Sequence, residues 1–398
     1  MTPIANLNLA FATTSPLILS TLFLSLTPTV FFQDPTETEL QTAQRKVAGL
    51  EAELGPEHLD LVNALDRLMV LNYSQGNYSE SEDVCRRILR IMEKAFGQDS
   101  LELILFLRNM GAIKEKKNSL EESAEFYRRA LEIKELNFKK NDYALAQQLW
   151  DYGNALGRLD KHDIKIPIFL RLLPIVEGNL GYDHPLTSQV INNLAVSHEI
   201  LNDYGNSSQL FRRAIDICEN KYGPKHFTVG IYLANLGHTL GEMGLADEAL
   251  GAMERSCEIL EKYYLLGEND IEDKGATFSD IRGQYADALT KIGTIQYQLS
   301  FYQEAQKSVE RCLAIQEEWY SSDHPEISGT LRVLSRWHLE RGDYKLAKPL
   351  VVRAITIDEN YYGRNHSLTA ISLSMLASIL KNEKKLQESI DLYKEAIE

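Results

Sequence analysis

A short phrase returns along this chain at a fixed interval, and that interval limits the fold more than any other feature. "LGPEH" at 54–58 reappears as "FGQDS" at 96–100, "LGYDHP" at 180–185, "YGPKH" at 222–226, "SSDHP" at 321–325 and "YGRNH" at 362–366. Its glycine slot falls at Gly55, Gly97, Lys139, Gly181 and Gly223, always 42 residues apart, and again at Ser321 and Gly363. Between Gly223 and Ser321 lie two periods plus 14 residues; the surplus is the acidic stretch "LGENDIEDKGATFS" at 266–279, read as a loop between helices. A chain of 398 residues is long for one globular core. An array of repeats escapes that limit, because each unit packs only on its neighbours.

Each period holds two amphipathic helices. On the first, apolar residues recur at i and i+3 with a small residue at i+4, as in Leu107/Met110/Gly111, Leu149/Tyr152/Gly153, Ile191/Leu194/Ala195 and Leu233/Leu236/Gly237. This spacing marks one helical face, and the small residue lets a second helix approach closely. After a turn, a second helix carries Cys85, Tyr127, Phe169, Phe211, Met253, Val309, Val351 or Tyr393 in one slot. Six residues later an isoleucine follows in seven units, from Ile91 to Ile357. A half repeat at 36–54 precedes about eight 42-residue repeats that run to Glu398.

The order of Leu, Leu and a small residue on the first helix, then Tyr, Ala, aromatic and Ala on the second, resembles the tetratricopeptide repeat. The 42-residue period and "HPLTSQVINNLAVSHEILNDYGNSSQLFRRAIDICENKYG" at 184–223 resemble the kinesin-light-chain-type subclass. The resemblance covers residues 36–398 and implies an all-α, right-handed superhelical solenoid of antiparallel helix pairs. It also implies a protein–protein interaction scaffold that takes a peptide or partner protein on its concave face. Kinesin light chains carry a heptad coiled coil ahead of the repeats; none stands here, so a motor role is not expected.

Several classes of chemistry find no support. His58, His184, His226, His324 and His366 share one slot at the start of the first helix, one per repeat. That places them too far apart to hold one ion and suits a helix-start role. Arg87, Arg129, Arg171, Arg213, Arg255, Arg311 and Arg353 recur six residues ahead of a matching glutamate, from Glu93 to Glu359. Six apart is not one helical face, so these side chains are expected to bridge neighbouring repeats or meet helix ends. One member per unit is a structural signature, whereas catalysis needs unlike groups converging at one place. No metal site, cofactor or catalytic residue is expected. Net charge of −15 disfavours nucleic acid as a partner. The four cysteines are scattered and read as small buried hydrophobes.

In the resembled family a groove asparagine precedes the second leucine of the first helix; Asn109, Asn193 and Asn235 match it here. One residue earlier stand Arg108, Trp150, Asn192 and Arg332, and four later than that slot come Asn154 and Arg336. Asparagine amides can hold a peptide backbone, Trp150 reads as an apolar anchor, and the arginines read as receptors for acidic side chains. Repeat 3 departs from the pattern: Lys165 occupies a small-residue slot, and Pro174 falls inside the second helix, where a kink is expected.

Residues 1–33 carry no charge, and residues 1–35 form an apolar leader. It is compatible with an export signal or membrane anchor, yet lacks a basic start and a cleavage motif. Location therefore stays open between exported or membrane-associated and cytoplasmic. Two other functions stay open beside the scaffold: a sensor or regulatory arm of a longer enzyme or signalling chain, and an exported or anchored envelope assembly factor. No polar capping helix follows the last repeat, so self-association through the C-terminal end is a further expectation.

Overall fold

The computed structural model describes residues 39–266 and 278–397, and among them every regular element is helical. The leader at 1–35 and residues 267–277 of the acidic insert lie outside the described residues. The chain divides into two compact units, one ending at Lys221 and the other starting at Tyr222.

The first unit holds α1 (Glu39–Leu54), α2 (Val62–Ser74), α3 (Tyr78–Phe96), α4 (Ile104–Lys116), α5 (Leu120–Asn137), α6 (Ala146–Arg158), α7 (His162–Leu180), α8 (Pro185–Ile200) and α9 (Tyr204–Tyr222). The second holds α10 (Phe227–Glu242), α11 (Ala246–Leu266), α12 (Phe278–Gln298), α13 (Tyr302–Trp319), α14 (Pro325–Glu340), α15 (Tyr344–Tyr362), α16 (Ser367–Asn382) and α17 (Leu386–Ile397). Helix α1 is the half repeat, and the remaining sixteen form eight hairpins. Within each unit every hairpin packs on the next, giving an all-α solenoid.

The small-residue slot works as its spacing predicts. A β-carbon on Gly111 would meet the Tyr127 ring at 2.7 Å, and one on Gly237 would meet Met253 at 2.8 Å. Where the slot is not glycine, a hydroxyl uses the same closeness: Ser335 Oγ donates to the Ala347 carbonyl at 3.1 Å, and Ser389 Oγ to that of Ala377 at 2.8 Å.

The phrase that sets the period ends one helix and begins the next. Gly97 and Gly181 follow α3 and α7 with φ of 88° and 103°, backbone that favours glycine. Where Lys139 fills the slot, α5 stops at Asn137 and leaves through an extended Phe138. The histidines cap the helix starts. Nδ1 of His58, His184, His226, His324 and His366 accepts from the backbone N–H two residues on, at 3.1–3.3 Å. Three of these rings also stack on the tyrosine four residues earlier: Tyr222, Tyr320 and Tyr362.

The repeated arginines bridge neighbouring repeats and meet loop ends, as expected. Arg87, Arg129, Arg171, Arg213 and Arg353 pair with Glu51, Glu93, Glu135, Glu177 and Glu317 on the preceding second helix. Arg87, Arg129, Arg171, Arg255 and Arg353 also donate to a carbonyl 31 residues earlier, in the preceding loop. Helix α7 runs from His162 to Leu180 with Pro167 and Pro174 both inside it.

Candidate peptide-binding face

The residues expected in the groove lie on the first helices of successive hairpins. In the first unit this face is a polar wall bridged from repeat to repeat. Arg108 Nε of α4 donates to Asp151 Oδ2 of α6 at 2.5 Å, and Gln147 Nε2 donates to Asp151 Oδ1 at 2.8 Å. Arg158 pairs with Glu115 across the same two repeats. Burial raises the Glu115 carboxyl above its ordinary range, against the pull of Arg158.

Trp150 does not stand ready for a ligand. It is 2 % exposed, lies 5.7 Å from the Phe169 ring, and belongs to the core with Leu145, Leu149 and Leu194. The expected anchor is thus a packing residue, because the second helix of its own hairpin and the next hairpin close over the indole. Arg108 is likewise committed to Asp151 rather than presented as an unpaired anion receptor.

Asn109, Asn154, Asn192 and Asn193 are all buried. Asn193 Nδ2 donates to the Gln189 carbonyl at 3.1 Å, and its Oδ1 accepts from Lys165 Nζ at 3.2 Å. Lys165 is buried, with Phe169 beneath its ammonium at 5.2 Å and Gly157 leaving room for it. Burial, with Arg158 adding like charge, pulls its pKa down to about 8. Asn154 Nδ2, also buried, has no hydrogen-bond acceptor. Sequence reasoning marked Lys165 as an oddity but did not place it on this face; Gly157, eight residues earlier, was the accompanying signal.

In the second unit Asn235 is half-buried on α10. Arg332 of α14 donates to Asp358 Oδ2 at 2.7 Å and to Ser328 Oγ at 3.0 Å. Asp358 is fully buried and also accepts from Ser372 at 2.9 Å. The expected arginine pair is therefore split: Arg332 is engaged within the fold, and Arg336 alone is exposed.

Comparison with known proteins agrees with the fold. The tetratricopeptide-repeat family model matches residues 60–135, 191–262 and 284–360, more than half of the chain. The chain belongs to the tetratricopeptide repeat family. Arrays of this family are protein–protein interaction scaffolds. Among solved structures, the apo form of the quorum sensor NprR from B. thuringiensis is similar at TM-score 0.57 and 12% identity, over 90% of this chain and 96% of that one. Apo RapI is similar at TM-score 0.55 and 14% identity, over 74% and 96%. BtubC (BKLC) from P. vanneervenii matches at TM-score 0.46 and 17% identity, over 71% and 94%. Kinesin-light-chain TPR-like repeats also appear among the similar structures. No curated protein sequence matches. Among the described residues no helix is long and apolar enough to cross a membrane, and no group of acids, histidines and cysteines could hold a metal ion.

Proposed function

We propose that this chain is a non-catalytic scaffold that binds an extended segment of a partner protein across its first helices, anchored at repeats 3 and 4. The observation that carries this is the unmet donor of Asn154. A buried N–H without an acceptor costs about 1–3 kcal/mol, and folded proteins rarely tolerate one without a reason. Close in sequence register, the Lys165 ammonium hydrogen-bonds only a neutral amide oxygen among the described residues. Gln148 Oε1 of α6 and Gln189 Oε1 of α8 are likewise buried without a donor, so a peptide backbone entering between α6 and α8, with both N–H and C=O, would meet groups of either kind.

The test separates binding from folding. Peptides are selected from a displayed random library on the purified chain, and their affinities are measured for the parent and Asn154→Ala. The variant should bind about tenfold more weakly, the loss of one buried hydrogen bond, while its melting temperature stays level or rises. Selected peptides that bind the variant equally well, or a library that yields none, would overturn the reading.

A further inference from the structure

Two lysines among the described residues are buried, and their surroundings differ. Lys114 is 6 % exposed and holds two carboxylates, Glu82 Oε1 at 2.8 Å and Glu122 Oε2 at 2.7 Å. Lys165 is 5 % exposed and joins no carboxylate among the described residues. Its ammonium donates to Asn193 Oδ1 at 3.2 Å and lies over the Phe169 ring, both neutral. Arg158 close by has the same sign and is already paired with Glu115. A buried charge without a counter-charge is costly, and folded proteins pair or neutralise it.

The repeat shows which group is absent. Gly157 stands beside the ammonium: a β-carbon on it would meet Lys165 Nζ at 3.0 Å. One period earlier and one later, the position of Gly157 is Glu115 and Glu199, while that of Lys165 is Ser123 and Ser207. Repeat 3 thus lacks the acid of its neighbours at the one place where it buries a lysine. Gly157 is itself only half-buried, so the site opens outward on that side. We propose that the partner segment carries an aspartate or glutamate whose carboxylate seats over Gly157 and pairs with Lys165. This rests on the peptide-binding reading above and adds the chemical class of the side chain it recognises. The incoming carboxylate takes the place that Glu115 and Glu199 hold by register in the flanking repeats. Asn154, three residues before Gly157 and so on the same side of α6, offers its unmet donor to the backbone of the same segment. A hydrogen bond between two charged groups is roughly twice as strong as a neutral one, so this contact favours acidic segments over neutral ones of the same shape.

Peptides selected from the random library on the full chain carry the test. They should share an acidic residue at one fixed position, and replacing it by its amide should weaken binding to the parent about tenfold or more. On Lys165→Met, which removes the buried charge and keeps the bulk, the same replacement should change affinity by less than about twofold. Gly157→Glu, which returns the acid of the flanking repeats to this place, should abolish the acidic preference too. Circular-dichroism melts check that both variants keep the fold. Peptides that depend on Asn154 but share no acid, or an amide replacement that costs Lys165→Met as much as the parent, would sink this proposal and leave the peptide-binding reading standing. A library without binders sinks both.

Discussion

Gly153 lies so close to Phe169 that a β-carbon on it would stand 2.3 Å from the ring. Gly178, in the same unit, has nothing within 4 Å of the equivalent point. Gly153→Ala should therefore cost about 1–3 kcal/mol by forcing helices α6 and α7 apart. Gly178→Ala should stabilise by about 0.5–1 kcal/mol, because helical alanine loses less backbone entropy. Urea unfolding of both variants checks the contrast; equal effects would refute the close-approach argument.

Lys165 sets a pH dependence of opposite sign to that of the buried thiols. Its folded pKa of about 8 lies below the ordinary 10.5, so the unfolded chain binds more protons between those values. Stability from this group rises as pH rises from about 8 toward 10.5. Cys85 and Cys257, raised by burial to about 12, lose stability above their ordinary value of 9. Comparing the parent with Lys165→Met isolates the lysine. The variant should be more stable below pH 8 by about 3 kcal/mol, a gap that narrows in alkali.

The His184 cap makes its repeat sensitive to acid. Protonated Nδ1 can no longer accept from the backbone, and a cation at a helix N-terminus is unfavourable. Burial, with Lys221 beside it, lowers the pKa of His184 below its ordinary 6.5. The stabilisation it gives is present above that value and is lost as pH falls through it and below. His184→Asn keeps an acceptor without the titration and should flatten part of the melting-temperature decline between pH 7 and 5. His184→Ala should cost about 1 kcal/mol at neutral pH.

Arg129 joins Glu93 at 2.7 Å and the Gln98 carbonyl at 3.0 Å. Both charged partners are partly exposed, so a double-mutant cycle of Arg129→Ala with Glu93→Ala should give a coupling of about 0.3–1 kcal/mol. The coupling should fall in high salt. Zero coupling would mean that the recurring pair is ornamental at this repeat.

What the sequence made legible is what occurs once per period. The hairpins, the small slot, the histidine caps and the arginine bridges each repeat at one register, so any copy explains the others. The groove was harder, because its residues differ from repeat to repeat. Trp150 shares a position with Arg108 and Asn192, and nothing local shows that Phe169 and α8 enclose it. Arg332 was read as a receptor for acidic groups. Its partner Asp358 replaces Met92 and Val176 of equivalent register, and that paired departure was the signal to follow.

The arginine bridges carry a consequence for how such a chain can be shortened or lengthened. Arg87, Arg129, Arg171 and Arg353 each find an acid 36 residues back and a loop carbonyl 31 back, whichever repeat supplies them. Excising residues 98–139, one whole period, would set Arg171 against Glu93 while leaving it its Lys140 carbonyl. Recombination in steps of the period therefore hands a clasp of this kind a chemically matching mate across the seam, whereas a cut of any other length strands it.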